Sequence, residues 1–196
     1  MIGDRLALPV FDLRGLLPPF NGSDPATADR SPYFCNMTEL CAAFGTSDHR
    51  KKLLRNLIAY RALIAADDYT DGLQFIDGSF VENIEQIESR NPSDIDVFSI
   101  LSLPAKYIGN MPAWNSGGSA FWNDEIIDQP KNKARFSLDC YAIIFNPNSP
   151  ASLIQQTIYW YSLFSHRRTS HEWKGFAAVP LDVAGDQAAL ATIGGP

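Results

Sequence analysis

The stretch Leu73 to Phe98, LQFIDGSFVENIEQIESRNPSDIDVF, decides how this chain is read. Its first apolar run, Leu73, Phe75 and Ile76, gives out at Asp77-Gly78-Ser79, so a strand over 73–77 ends in a small-residue turn. Val81, Ile84 and Ile87 follow at three-residue steps and predict a short helix over 79–88. Asn91-Pro92-Ser93 then turns the chain into a second strand over 94–101. Side chains alternate faces along a strand, so Asp94 and Asp96 share one face while Ile95 and Val97 take the other. Two neighbouring carboxylates on an otherwise apolar strand repel each other and lose hydration. A divalent cation that favours hard oxygen ligands, Mg2+ or Mn2+, relieves both costs. The plainer reading is that an Asp after Asn-Pro-Ser only accepts hydrogen bonds from turn amides.

Working outward, residues 136–145 (FSLDCYAIIF) are apolar at nearly every position, the pattern of a strand buried on both faces. Asp139 lies inside that run, where an unpaired carboxylate costs several kcal/mol unless it binds a cation or pairs with Arg135 or Lys133. Ser149-Pro150 opens a helix that runs to about residue 164. A last strand is expected over 176–181, and the Ala/Gly-rich tail beyond Asp182 carries no pattern. Upstream, Leu53, Leu54, Leu57, Ile58, Leu63 and Ile64 follow Ser47 at helical spacing. Arg50, Lys51, Lys52 and Arg55 on that helix read as a solvated face. Thr38 caps a shorter helix through residue 44. Residues 1–35, rich in Pro, Gly and Asp, read as an irregular arm packed on the domain. Residues 104–131 read as a functional loop or insertion. Trp114 and Trp122 within it serve either as a platform for a base or, the favoured reading, as an apolar plug.

At 196 residues the chain has room for one core and not for two, so a single domain is expected. Its net charge of −6, with basic residues clustered only locally, argues against duplex DNA as the main partner. No apolar run reaches the roughly 18 residues that span a bilayer. Met1 to Arg5 lack the layout of a signal peptide, so no membrane partner and a cytoplasmic location are expected. Cys35, Cys41 and Cys140 suit reduced, buried thiols, and His49, His166 and His171 match no zinc spacing.

Asp77-Gly78-Ser79-Phe80-Val81 and Asn91-Pro92-Ser93-Asp94-Ile95-Asp96-Val97 together resemble the signature of the DNA polymerase β-like nucleotidyltransferases. More narrowly, they resemble a bacterial family of small stand-alone members. Gly15-Leu16-Leu17-Pro18-Pro19 upstream and Lys174-Gly175 downstream extend the likeness over most of the chain. The resemblance implies an α/β fold, a small mixed sheet with helices mainly on one face. It implies metal-dependent transfer of a nucleotidyl group from a nucleoside triphosphate to a hydroxyl of a protein, a small molecule or an RNA end. Asp94, Asp96 and Asp139 become the catalytic and metal-binding set, with Asp139 on the later strand beside the Asp-x-Asp strand. Gly78 and Ser79 become the phosphate grip. Lys174 either reaches the triphosphate or stands as a solvated edge charge. Some stand-alone members resemble parts of toxin–antitoxin or phage-defence systems, so a protein partner encoded nearby is also implied.

The chain departs from that pattern in the long spacer between Ser79 and Asp94. It brings Glu82, Glu85 and Glu88 toward a site meant for phosphates and offers no basic residue before Arg90. A catalytically weak, nucleotide-binding regulatory module is therefore the alternative. A glycosyltransferase with Asp-x-Asp leaves Gly78-Ser79 and Asp139 unexplained.

Overall fold

The computed structural model describes residues 8–195, so the reading of Met1 to Arg5 lies outside the described residues. From Leu8 the arm is irregular, as expected, and Asp12 pins it by accepting the amides of Arg14 and Leu16. It ends in a strand the sequence did not reveal, β1 (Tyr33–Phe34). Asn36, not Thr38, caps α1 (Met37–Phe44): its side chain accepts from the Glu39 amide while the Glu39 carboxylate accepts from the Asn36 amide. Ser47 caps the five-turn α2 (Asp48–Ala65) through the Arg50 amide.

β2 (Gly72–Asp77) runs into a 3-10 turn (Gly78–Val81) and then α3 (Ile84–Glu88). The single helix expected over 79–88 is split because Glu82 is extended and bridges to Leu16 of the arm. β3 is Ile95–Ser102. The expected loop over 104–131 is instead mostly helical. A 3-10 turn (Ala105–Tyr107), α4 (Met111–Ala113) and α5 (Ser119–Phe121) are joined by two π turns, and α6 (Gln129–Phe136) follows. Aromatic packing holds this Gly- and Asn-rich stretch: Trp114 meets Tyr107 edge-on at 5.6 Å, and Trp122 lies 5.8 Å from Tyr69.

β4 (Leu138–Phe145) starts two residues later than expected, because Phe136 ends α6 and Ser137 closes it in the left-handed region. α7 (Pro150–Phe164) begins at the expected proline, although the Ser149 side chain makes no capping bond. β5 is Ala177–Pro180. The tail that looked patternless forms α8 (Val183–Thr192), capped by Asp182. It sends Asp186 to Arg61 of α2 at 2.6 Å, and the same guanidinium holds Gln74, whose amide donates to Ser99. All three cysteines are buried, and none is in a disulfide among the described residues.

The strand order is β1-β5-β2-β3-β4, with β1/β5 and β3/β4 parallel and β2 antiparallel to both its neighbours. One face, with Ile76, Val97, Cys140 and Val179, packs under α1, α2, α6 and α8. The opposite face carries Phe75, Phe98, Phe176 and Ala178 and is covered by α7, through Trp160 and Phe164. The sheet is therefore small and mixed, with its helices mainly on one face. β4 is an edge strand under thin cover, so Tyr141 and Phe145 remain about 40% exposed rather than doubly buried. Its apolar run reflects one full face and one partly open one.

Candidate functional site: a row of aspartates across three strands

Strand register sets out the site. Asp77 pairs with Asp96 across β2 and β3, and Asp96 with Asp139 across β3 and β4. Each strand therefore contributes one carboxylate to the same row. Alternation puts that row on the α7 face, since the next row on the same face, two residues in, is Phe75, Phe98 and Tyr141. Opposite residues in adjacent strands lie about 5 Å apart, so three acids here repel unless something positive stands among them. Asp94, just ahead of β3, adds a fourth from the turn.

Lys133 supplies part of that charge. Its ammonium stands 2.8 Å from Asp94 Oδ2 and 3.7 Å from Asp139 Oδ2, and this contact with Asp94 holds the lysine above its ordinary pKa. Gln129 donates to Asp139 Oδ1 at 2.7 Å. Of the two salt-bridge partners weighed for Asp139, Lys133 is present at long range while Arg135 turns away to Glu125. Asp96 has neither an ion pair nor a side-chain hydrogen bond among the described residues. Burial first, then Asp94 and Asp139, push its pKa up to about 6.

Gly78 explains why a glycine opens the turn after β2. Its φ of +81° is a left-handed conformation, and a Cβ there would stand 2.6 Å from Asp96 Oδ2. Ser79 caps neither neighbouring helix, since Asp77 and Asn83 hold those positions, and it lines the cleft instead.

Lys174 requires a correction. It is buried, and its ammonium is held by Asp77 Oδ1 at 2.9 Å, the Gly78 carbonyl at 3.0 Å and Glu82 Oε1 at 3.0 Å. It is therefore not a solvated edge charge: two oxygens accept its hydrogen bonds, and Asp77 stands beside it as an ion-pair partner. Burial alone would depress its pKa, but Asp77 and Glu82 raise it. Burial pushes the pKa of Asp77 up to about 7 against the pull of Lys174. Glu82 also binds Arg167 at 3.0 Å, Arg167 binds Glu88, and Glu88 binds Arg90 at 2.8 Å. Charges of alternating sign thus run from the floor of the turn to its rim. Glu85 joins Arg50 at 2.6 Å. The acidic spacer is neutralised within the fold, from positions far away in sequence.

Arg50 is also unlike its expected solvated state. It is buried, donating to the Phe80 and Glu82 carbonyls as well as to Glu85, and so braces the turn from the other side of the sheet. The arm meets the same turn: the Asn83 amide donates to Gly15 O, and the Gly175 amide donates to Leu17 O. A Cβ on Gly175 would stand 2.4 Å from the Pro18 carbonyl, so the chain passes there only as glycine.

A cleft of about 1180 Å³ opens over the aspartate row. Asp77, Gly78, Ser79, Asp94, Asp96 and Asp139 form one wall, and Ile158, Tyr159 and Leu163 of α7 form the other. Arg168 and His171 stand at the rim. None of residues 104–131 lines it, so Trp114 and Trp122 offer no platform there; Trp122 packs on the core and Trp114 on Tyr107.

Among the described residues, no three His, Cys, Asp or Glu side chains are gathered tightly enough to hold a metal as they stand. The Lys133 ammonium between Asp94 and Asp139 is nonetheless a stand-in cation, and an all-carboxylate donor set suits Mg2+ or Mn2+. The sequence reading missed Asp77 as a member of the row, although it immediately precedes Gly78-Ser79. It also missed the chain through Glu82 and Arg167, for which no local signal exists. No curated protein and no solved structure matches the chain. Residues 9–180, which run from the arm to the end of β5 and include every aspartate of the row, match DUF6932, a family of unknown function, and the chain belongs to that family.

Proposed function

We propose that the protein is a nucleotidyltransferase acting through the aspartate row. The observation that carries this reading is the register Asp77–Asp96–Asp139, with Asp94 beside it and Gly78-Ser79 opening the same cleft. The acceptor hydroxyl attacks the α-phosphorus of a nucleoside triphosphate, a new O–P bond forms, and pyrophosphate leaves with the electrons of the α–β bridge. Asp94, Asp96 and Asp139 would hold the divalent cation, which when bound neutralises charge on the phosphates and on the attacking oxygen. Gly78 lets the backbone approach the phosphates, and the Ser79 hydroxyl donates to one of their oxygens. Asp139, on the edge strand next to Tyr141, orients the acceptor hydroxyl and accepts its proton. Lys174 acts from below by fixing Asp77 and the Gly78 carbonyl. Its contribution is to position the turn.

Incubation with each labelled triphosphate and Mg2+ or Mn2+, with and without proteins encoded nearby, tests the proposal. Label should move to an acceptor with the wild type and not with Asp96→Asn. Label transfer by folded Asp96→Asn at the wild-type rate would refute the role given to the row. A second reading, a regulatory module that binds nucleotide without turnover, draws on one observation: Lys174, Arg167 and Arg50 are already committed to internal carboxylates. Nucleotide binding without transfer under any of these conditions would favour it.

A further inference from the structure

We infer that Lys133 is a tethered counter-ion that makes cation loading depend on the phosphate chain. This inference rests on the nucleotidyltransferase reading and deepens it. α6 carries three basic residues at alternate positions, and they part company. Lys131 and Arg135, one turn apart, both turn to Glu125, at 2.6 and 3.3 Å. Lys133 lies on the other side of the helix and alone reaches the aspartates, half-exposed, at 2.8 Å from Asp94 and 3.7 Å from Asp139. Its ammonium thus stands between two of the three carboxylates that a divalent cation would share.

Two like charges do not share that space. A cation arriving alone must expel the ammonium, and the acid that serves the other two basic residues of α6, Glu125, is already held by Lys131 and Arg135. Free cation therefore binds against the loss of the Lys133–Asp94 pair. A cation arriving with a polyphosphate brings the missing anion with it. The displaced ammonium turns to a phosphate oxygen over the cleft that Lys133 itself lines. Cation and polyphosphate then bind with positive coupling, and Lys133 carries much of it. The carboxylates are kept closed to free metal and open to the metal–phosphate complex.

Calorimetry on the full chain tests this with Mn2+ alone and with Mn2+ paired one to one with tripolyphosphate, a probe that is indifferent to base identity. Wild type should bind the pair at least tenfold more tightly than free Mn2+. Lys133→Met should bind free Mn2+ about tenfold more tightly than wild type and gain little from tripolyphosphate. Lys133→Gln, which keeps a polar side chain there, should behave like Lys133→Met. Lys131→Met, which faces Glu125, should match wild type in both titrations. Equal affinity for free Mn2+ in wild type and both Lys133 variants overturns the inference and leaves the cation site standing. Absence of Mn2+ binding in every protein, with or without tripolyphosphate, overturns the cation site and this inference with it.

Discussion

Gly78 and Asp96 are coupled by contact, and both can be tested one residue at a time. Gly78→Ala forces an L side chain into a left-handed conformation and against the Asp96 carboxylate. It should lower stability by about 1–2 kcal/mol in urea denaturation. Wild-type stability in that variant would show that the turn relaxes and that Asp96 is not pressed against it. Asp96 gives a pH signature. Its folded pKa of about 6 lies above the unfolded carboxylate value, so between about pH 4 and 6 the folded protein holds the proton more tightly. With chelator present, the Asp96 contribution to stability should therefore fall as pH rises through that window, by an amount on the order of 2–3 kcal/mol, while Asp77 extends the decline to about pH 7. Asp96→Asn should flatten this part of the profile. An unchanged slope would mean that Asp96 is solvated. At this scale the sequence was partly legible. Asp94, Asp96 and Asp139 stood out because alternation and an apolar setting are local properties. Lys174 did not, because its state depends on Asp77 and Glu82, which no spacing ties to it.

Helix α2 shows how an element can be read correctly and its charges misread. Its cap and apolar stripe were visible, since both repeat within the helix itself. Arg50 was expected in solvent, but the turn that follows β2 lies beneath it and supplies two carbonyls and Glu85. Removing the guanidinium leaves the Phe80 and Glu82 carbonyls buried and unpaired, and strands the partly exposed Glu85. Arg50→Met should therefore cost about 3–5 kcal/mol. Lys52→Ala, on an exposed position of the same helix, should stay within about 0.5 kcal/mol of wild type. Equal effects in chemical denaturation would return Arg50 to the solvated face. The elements that escaped the sequence share one cause: β1 and α8 are specified by their partners. β1 has two residues and exists through its pairing with β5, while α8 is anchored by Arg61 and by packing on α1 and α2. The helical winding through 111–126 is likewise held by Tyr69 and Tyr107, outside any local period.

For the molecule as a whole, the decisive quantity is charge. A chain of net charge −6 with four aspartates along one cleft repels a triphosphate unless a cation comes with it. The basic groups able to attract phosphate unaided are mostly spent, on Glu82, Glu85, Glu88 and Asp77. Binding should therefore be conditional, and the folded state reports it. A ligand that binds only the native protein adds RT ln(1 + [L]/Kd), about 2.7 kcal/mol at one hundred times Kd. For a domain of this size that raises Tm by roughly 5–10 °C. Nucleoside triphosphate with Mn2+ should produce a rise of that order, triphosphate with chelator none, and duplex DNA none at moderate salt. The Asp94→Asn, Asp96→Asn double variant, which weakens the repulsion but loses the cation, should melt near wild type without ligand and show no rise with it. A comparable rise with triphosphate and chelator would mean that the phosphates are held by Arg168 at the rim. The aspartate row would then be a structural ion network and not a reaction centre.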